Sequence, residues 1–98
     1  MKWEGEIFQL AIIGWILEKV PEREYAPFSR AVGFDHDGRT FRKLRSGQRE
    51  WHLEDICMLA SHWGSSPSHL LAEIEIYYIQ HEKELLAKLA QKQEQIKE

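Results

Sequence analysis

The sequence predicts an all-α fold of five helices, the last continuing as an extended C-terminal helix. Apolar residues recur at the three- and four-residue spacing of buried helix faces. Glycines and prolines fall between those runs, where helices stop and start. Beyond Pro67 neither residue type occurs again, so nothing interrupts the final helix. Ninety-eight residues, 43% of them apolar and eleven aromatic, are enough for one ordinary domain with a single core.

The first helix occupies Trp3 to Val20. Phe8, Ile12, Ile16 and Val20, with Leu10, Ile13 and Leu17, form a stripe broad enough to be buried over much of the circumference. Pro21 ends it, because the residue before a proline is pushed out of helical backbone angles. A short second helix has Pro27 in its first turn, Phe28 and Ala31-Val32 facing inward, and Gly33 as its stop. The run Phe34-Asp35-His36-Asp37-Gly38 is a turn. A third helix follows, with Phe41 and Leu44 inward at i and i+3 and Gly47 closing it. Leu53, Ile56, Cys57, Leu59, Ala60 and Trp63 mark a fourth helix, begun weakly by a His52 cap and stopped by Gly64. Ser66 as N-cap and Pro67 at the first helical position open the fifth, whose core residues are Leu70, Leu71 and Ile74. Continued to the end of the chain, that helix is a rod of about 45 Å.

Charge is distributed very unevenly. The eleven residues from Arg39 to Arg49 hold five cations and no acid, while the chain as a whole is acidic with a net charge of -3. The protein therefore has a dipolar field rather than a uniformly repulsive one toward a polyanion. A basic run is also the ordinary composition of a solvated helix face, so it becomes a phosphate site only in company with a suitable scaffold.

Other chemistries find little support. Cys57 stands alone between Ile56 and Met58, which excludes a disulfide framework within the chain and predicts a buried, inert thiol in a cytoplasmic protein. The longest apolar stretch, Ile7 to Leu17, is too short to span a bilayer. His36, His52, His62, His69 and His81 lack metal-ligand spacing, so no metal or other cofactor is expected. Ser65, Ser66 and Ser68 near His62 and His69 lack a nucleophile elbow, and there is no glycine-rich phosphate loop. No catalytic constellation emerges, and the chain is not read as an enzyme.

Two short helices joined by a tight turn, the second one basic, suggest a helix-turn-helix. The stretch Thr40-Phe41-Arg42-Lys43-Leu44-Arg45-Ser46-Gly47-Gln48-Arg49 echoes the pattern Thr-Ile-Ser-Arg-Ile-Glu-x-Gly-Lys-Arg. The stretch from Leu53 to Ser66 echoes Leu-Glu-x-Leu-x-x-Leu-Ala-x-x-Leu-Gly-x-Ser. In both, the chain resembles the phage lambda repressor and Cro-like DNA-binding domains, the XRE family, over roughly residues 7 to 74. The resemblance implies a lambda-repressor-like fold in which Arg39, Thr40, Arg42 and Lys43 face bases and phosphates, while Arg45, Gln48 and Arg49 contact the flanking backbone. It implies a transcriptional regulator, a repressor of phage or mobile-element type, acting on double-stranded DNA. The alternative is the same fold used as a protein-interaction module or antirepressor that does not itself bind DNA.

One short helix reads too few bases for specific control, so a dimer on a two-fold site is expected. The helix-turn-helix domain is placed at 1–76 and a helical extension for self-association at 77–98. Tyr78, Leu85, Leu89 and Ile96 keep a rough heptad spacing along that extension and are the expected dimer contacts, or contacts to another protein partner. The polar run from Gln91 leaves a frayed tail as the competing reading of the last two turns. On the self-association reading, a chain cut after Ile79 folds as a monomer.

Overall fold

The computed structural model describes residues 5–34 and 38–96, with side chains described through Gln91. Its helices are α1 (Gly5–Lys19), α2 (Tyr25–Val32), α3 (Arg39–Ser46), α4 (Leu53–His62), α5 (Pro67–Gln80) and α6 (Glu82–Ile96), with a 3-10 turn at Glu22–Glu24 before α2. Among the described residues there is no strand. Trp3 and the turn residues Asp35, His36 and Asp37 lie outside them.

The boundaries follow the local chemistry. Val20 still donates its N–H to the Ile16 carbonyl at 3.0 Å, and Pro21 then leaves the helix at ψ 149°. Helix α2 ends on Gly33 at φ 104°, a conformation that carries a large steric penalty for residues with a Cβ. Ser66 accepts a hydrogen bond from the His69 N–H at 3.2 Å, and Pro67 fills the first helical position.

Helix α1 is the centre of the molecule, packing on α3, α5 and α6, while α4 packs on α2 and α5. Ile7, Ala11, Ile12, Trp15 and Ile16 of α1 are buried, and with Val20, Phe41, Leu44, Ile56, Leu59, Leu70 and Ile74 they form one continuous core. At Gly14 a Cβ would collide with the Tyr77 phenol, so glycine is what lets α1 and α5 approach there. On α4 the inward face is Ile56, Leu59 and Ala60. Leu53 and Cys57, one turn apart on another side of the helix, are exposed, which corrects the expectation of a buried thiol.

The C-terminal region departs most from the sequence reading. The helix begun at Pro67 does not continue as one rod: His81 adopts φ -119°, and α6 starts anew at Glu82. A straight rod of about 45 Å would exceed the 36 Å longest extent of the molecule. The bend lets both segments pack on α1. Tyr78 (1% exposed), Leu85 (1%) and Leu89 (7%) are buried in the core of their own chain, so these expected dimer contacts are occupied internally. The side chain of Ile96, the fourth expected contact, lies outside the described residues. The division expected between residues 76 and 77 falls within α5.

Candidate nucleic-acid interface

Helix α3 is short and strongly two-faced. Gly38 (φ 81°) precedes it and Gly47 (φ 82°) follows it, both in the left-handed region that glycine tolerates. Gly38 is also buried against α2, where an added Cβ would sit 3.4 Å from the Ala26 Cα. At Gly38 the chain therefore enters α3 pressed against the preceding helix.

Two side chains pin α3 to the core. Phe41 and Leu44 are completely buried, one turn apart on the inner face. The Phe41 ring meets Tyr25 (centroids 5.4 Å), Phe28 (5.3 Å) and Phe34 (6.2 Å), so α2, the turn and α3 share one aromatic cluster. The cluster extends through Phe34 to Trp51 and through Phe28 to Trp63, which meets Trp15 edge-on at 5.7 Å. Edge-to-face and tilted ring contacts of this kind add to what burial of ring area supplies.

The seven residues expected to meet DNA are placed differently from one another. Arg39, Arg42 and Lys43 are exposed on α3, and Thr40 is half-buried beside them. Gln48 is exposed in the connection after Gly47. Arg45 is half-buried with its guanidinium 4.0 Å from the Tyr25 ring centre and 5.6 Å from that of Phe41. Its Nε, shielded from solvent, finds no acceptor among the described residues. Stacking on a ring, with no polar partner at Nε, makes Arg45 a clamp between α2 and α3 as well as a charge. Arg49 points to the buried carboxylate of Asp55, with Nη2 and Oδ1 3.8 Å apart.

Three residues outside the predicted set hold the loop after α3. The Gln9 side chain donates to the Trp51 carbonyl at 2.8 Å and accepts from the Trp51 N–H at 2.6 Å, so one amide satisfies both backbone groups. The Trp51 indole N–H donates to the Leu44 carbonyl at 3.2 Å, covering one of the carbonyls that the end of α3 leaves open. Asp55 accepts from the His52 N–H at 2.8 Å and so closes the start of α4. In the sequence the only trace of this was Gln9, a polar residue interrupting an apolar stretch. Its partner lies 42 residues away, a distance that periodicity does not encode.

Among the described residues no three His, Cys, Asp or Glu side chains converge as metal ligands, and no helix is long and apolar enough to cross a membrane. Comparison with protein-family models, with curated proteins and with solved structures yields no match for this chain.

Proposed function

We propose that the protein is a DNA-binding transcriptional regulator whose α2 and α3 work as a helix-turn-helix, with α3 entering the major groove. The observation that carries this reading is the two-sidedness of α3. Phe41 and Leu44 fix its inner face completely, and Arg42 and Lys43 stand exposed on the outer one. A cation on a pinned helix meets a phosphate or a base edge with little further ordering, whereas one on a loose tail does not. Arg42 is suited to a bidentate contact with guanine O6 and N7, and Lys43 to a phosphate. Arg39, Thr40 and Gln48 extend the same surface, and Arg49 joins it at the expense of its long pairing with Asp55. Two copies, each presenting α3, supply the two half-sites that specific control requires.

The test is duplex binding measured over a range of salt concentrations. Each phosphate contact releases a counterion, so affinity falls steeply as salt rises, and the slope counts the contacts.

A second reading has its own support. Arg45 is committed to Tyr25 and Arg49 faces Asp55, which leaves fewer uncommitted cations than the sequence suggests. On that reading the same fold is a protein-interaction module or antirepressor. Retention on heparin that weakens with salt favours the DNA reading; passage through heparin together with capture of a partner protein favours the other.

A further inference from the structure

We propose that a groove between the end of α1 and the start of α5 binds a small primary alkylammonium ion, seated on the Trp63 indole and held by the carboxylates of Glu18 and Glu73. This site stands apart from α3 and does not depend on whether α3 meets DNA. The groove encloses about 720 Å³, within the range of small-molecule sites. Glu18 and Lys19 come to it from α1, His69 and Glu73 from α5, and Trp63 from the turn between α4 and α5. Trp63 remains 37% exposed although Trp15, Phe28 and His62 pack around it. An accessible indole bordered by carboxylates from two helices is chemistry for a cation. The ring quadrupole attracts positive charge, and the carboxylates accept its hydrogen bonds.

An adjoining groove identifies the cation. It encloses about 280 Å³ and shares Glu18, Lys19 and Glu73 with the first, but its aromatic lining is Trp15 and Tyr77. There the Lys19 ammonium lies 5.2 Å from the centre of the Trp15 ring. The same two carboxylates thus border two indoles, and the chain supplies an ammonium to one of them. Among the described residues no cation lies over Trp63. Charge agrees with a single positive ligand: with histidine counted as neutral, Glu18 and Glu73 against Lys19 leave one negative charge in the larger groove. The carboxylates favour a primary ammonium, because they need N–H donors, and a lone indole is not the aromatic cage that a quaternary ammonium requires. Glu18 also lies 3.7 Å from His81, whereas Glu73 has no ion-pair partner among the described residues, which makes Glu73 the cleaner position to vary.

The test is an NMR titration of the full chain with n-butylammonium chloride and, separately, with its isomer tetramethylammonium chloride at the same ionic strength. The isomers carry equal charge, but only the first has N–H donors. n-Butylammonium is expected to shift the Trp63 indole N–H and the Gly64 amide saturably, and tetramethylammonium to bind more weakly. Glu73→Gln and Trp63→Leu should each weaken n-butylammonium binding by about two- to five-fold, the worth of one exposed ion pair or one ammonium–indole contact. Trp63 is packed among other rings, so Glu73→Gln decides the matter if the Trp63 variant does not fold. Lys19→Met removes the competing cation and bares the Trp15 ring, so it should tighten binding and bring the Trp15 indole N–H into the set of shifted signals. Linear shifts without saturation, equal binding of the two isomers, a folded Glu73→Gln variant with unchanged affinity, or weaker binding by Lys19→Met would overturn the proposal.

Discussion

The arginines of the basic segment differ in what lies beneath them. Arg42 is exposed on the outer face of α3, whereas Arg45 lies over the Tyr25 ring. Arg45→Ala is therefore expected to lower unfolding free energy by about 1 to 2 kcal/mol through lost stacking and stem packing. Arg42→Ala should stay within about 0.5 kcal/mol of wild type, as exposed positions do. Urea unfolding of the two variants separates them, and equal stabilities would return Arg45 to the set of plain surface cations. Tyr77 makes a second case, this time for pH. Burial in the first place, and the nearby carboxylates of Glu18 and Glu84 after it, hold its phenol above the ordinary value of 10.0. Because the unfolded chain ionises first, stability is fully present below about pH 10 and declines as pH rises through the higher folded value. Tyr77→Phe should flatten that alkaline decline; an identical profile in the variant would show that another group drives it.

Among the helices, those from α1 to α4 were legible because each carries its own stop. Pro21, Gly33, Gly47 and Gly64 act on the chain within one turn and need no tertiary partner. The inward set of α3 was legible for the same reason, as Phe41 and Leu44 sit one turn apart among cations. The bend at His81 was not, because no residue there breaks a helix. It exists because Leu85 and Leu89 gain more by burial in the core with α1 than the backbone loses by opening at one residue. His81 stacks on Tyr77 at 4.2 Å and lies 3.7 Å from Glu18 and 3.3 Å from Glu84, bridging α1 and α6 at the junction. Of the apolar anchors expected along the tail, Tyr78, Leu85 and Leu89 are buried against their own chain. Two mutational tests belong to this scale. Leu44→Ala and Leu85→Ala should each cost about 2 to 5 kcal/mol, as buried leucine truncations do. Truncation after Ile79, which the sequence alone suggested would give a folded monomer, should instead yield a chain without a cooperative thermal transition, since it strips Leu85 and Leu89 from the core. A sharp melt of the truncated chain near the wild-type temperature would mean that α6 is dispensable.

For the molecule as a whole, the decisive property is that an acidic chain carries a cluster of cations and sets part of it on one pinned helix. Net charge alone does not fix the expectation for a polyanion, because the field close to α3 is set by α3. A protein of this kind should bind duplex DNA of arbitrary sequence weakly and one operator tightly, both losing affinity with salt. The direct measurement is the salt dependence of duplex binding for the wild-type chain and for the Arg42→Ala, Lys43→Ala double variant, with circular dichroism and thermal midpoint recorded on the same samples. The variant is expected to fold as the wild type does, to bind about 1 to 3 kcal/mol more weakly, and to show a slope shallower by about one for the lost phosphate contact on each protomer engaged. A correctly folded variant whose affinity and slope both match the wild type would contradict the assignment of α3 as the DNA-contacting helix.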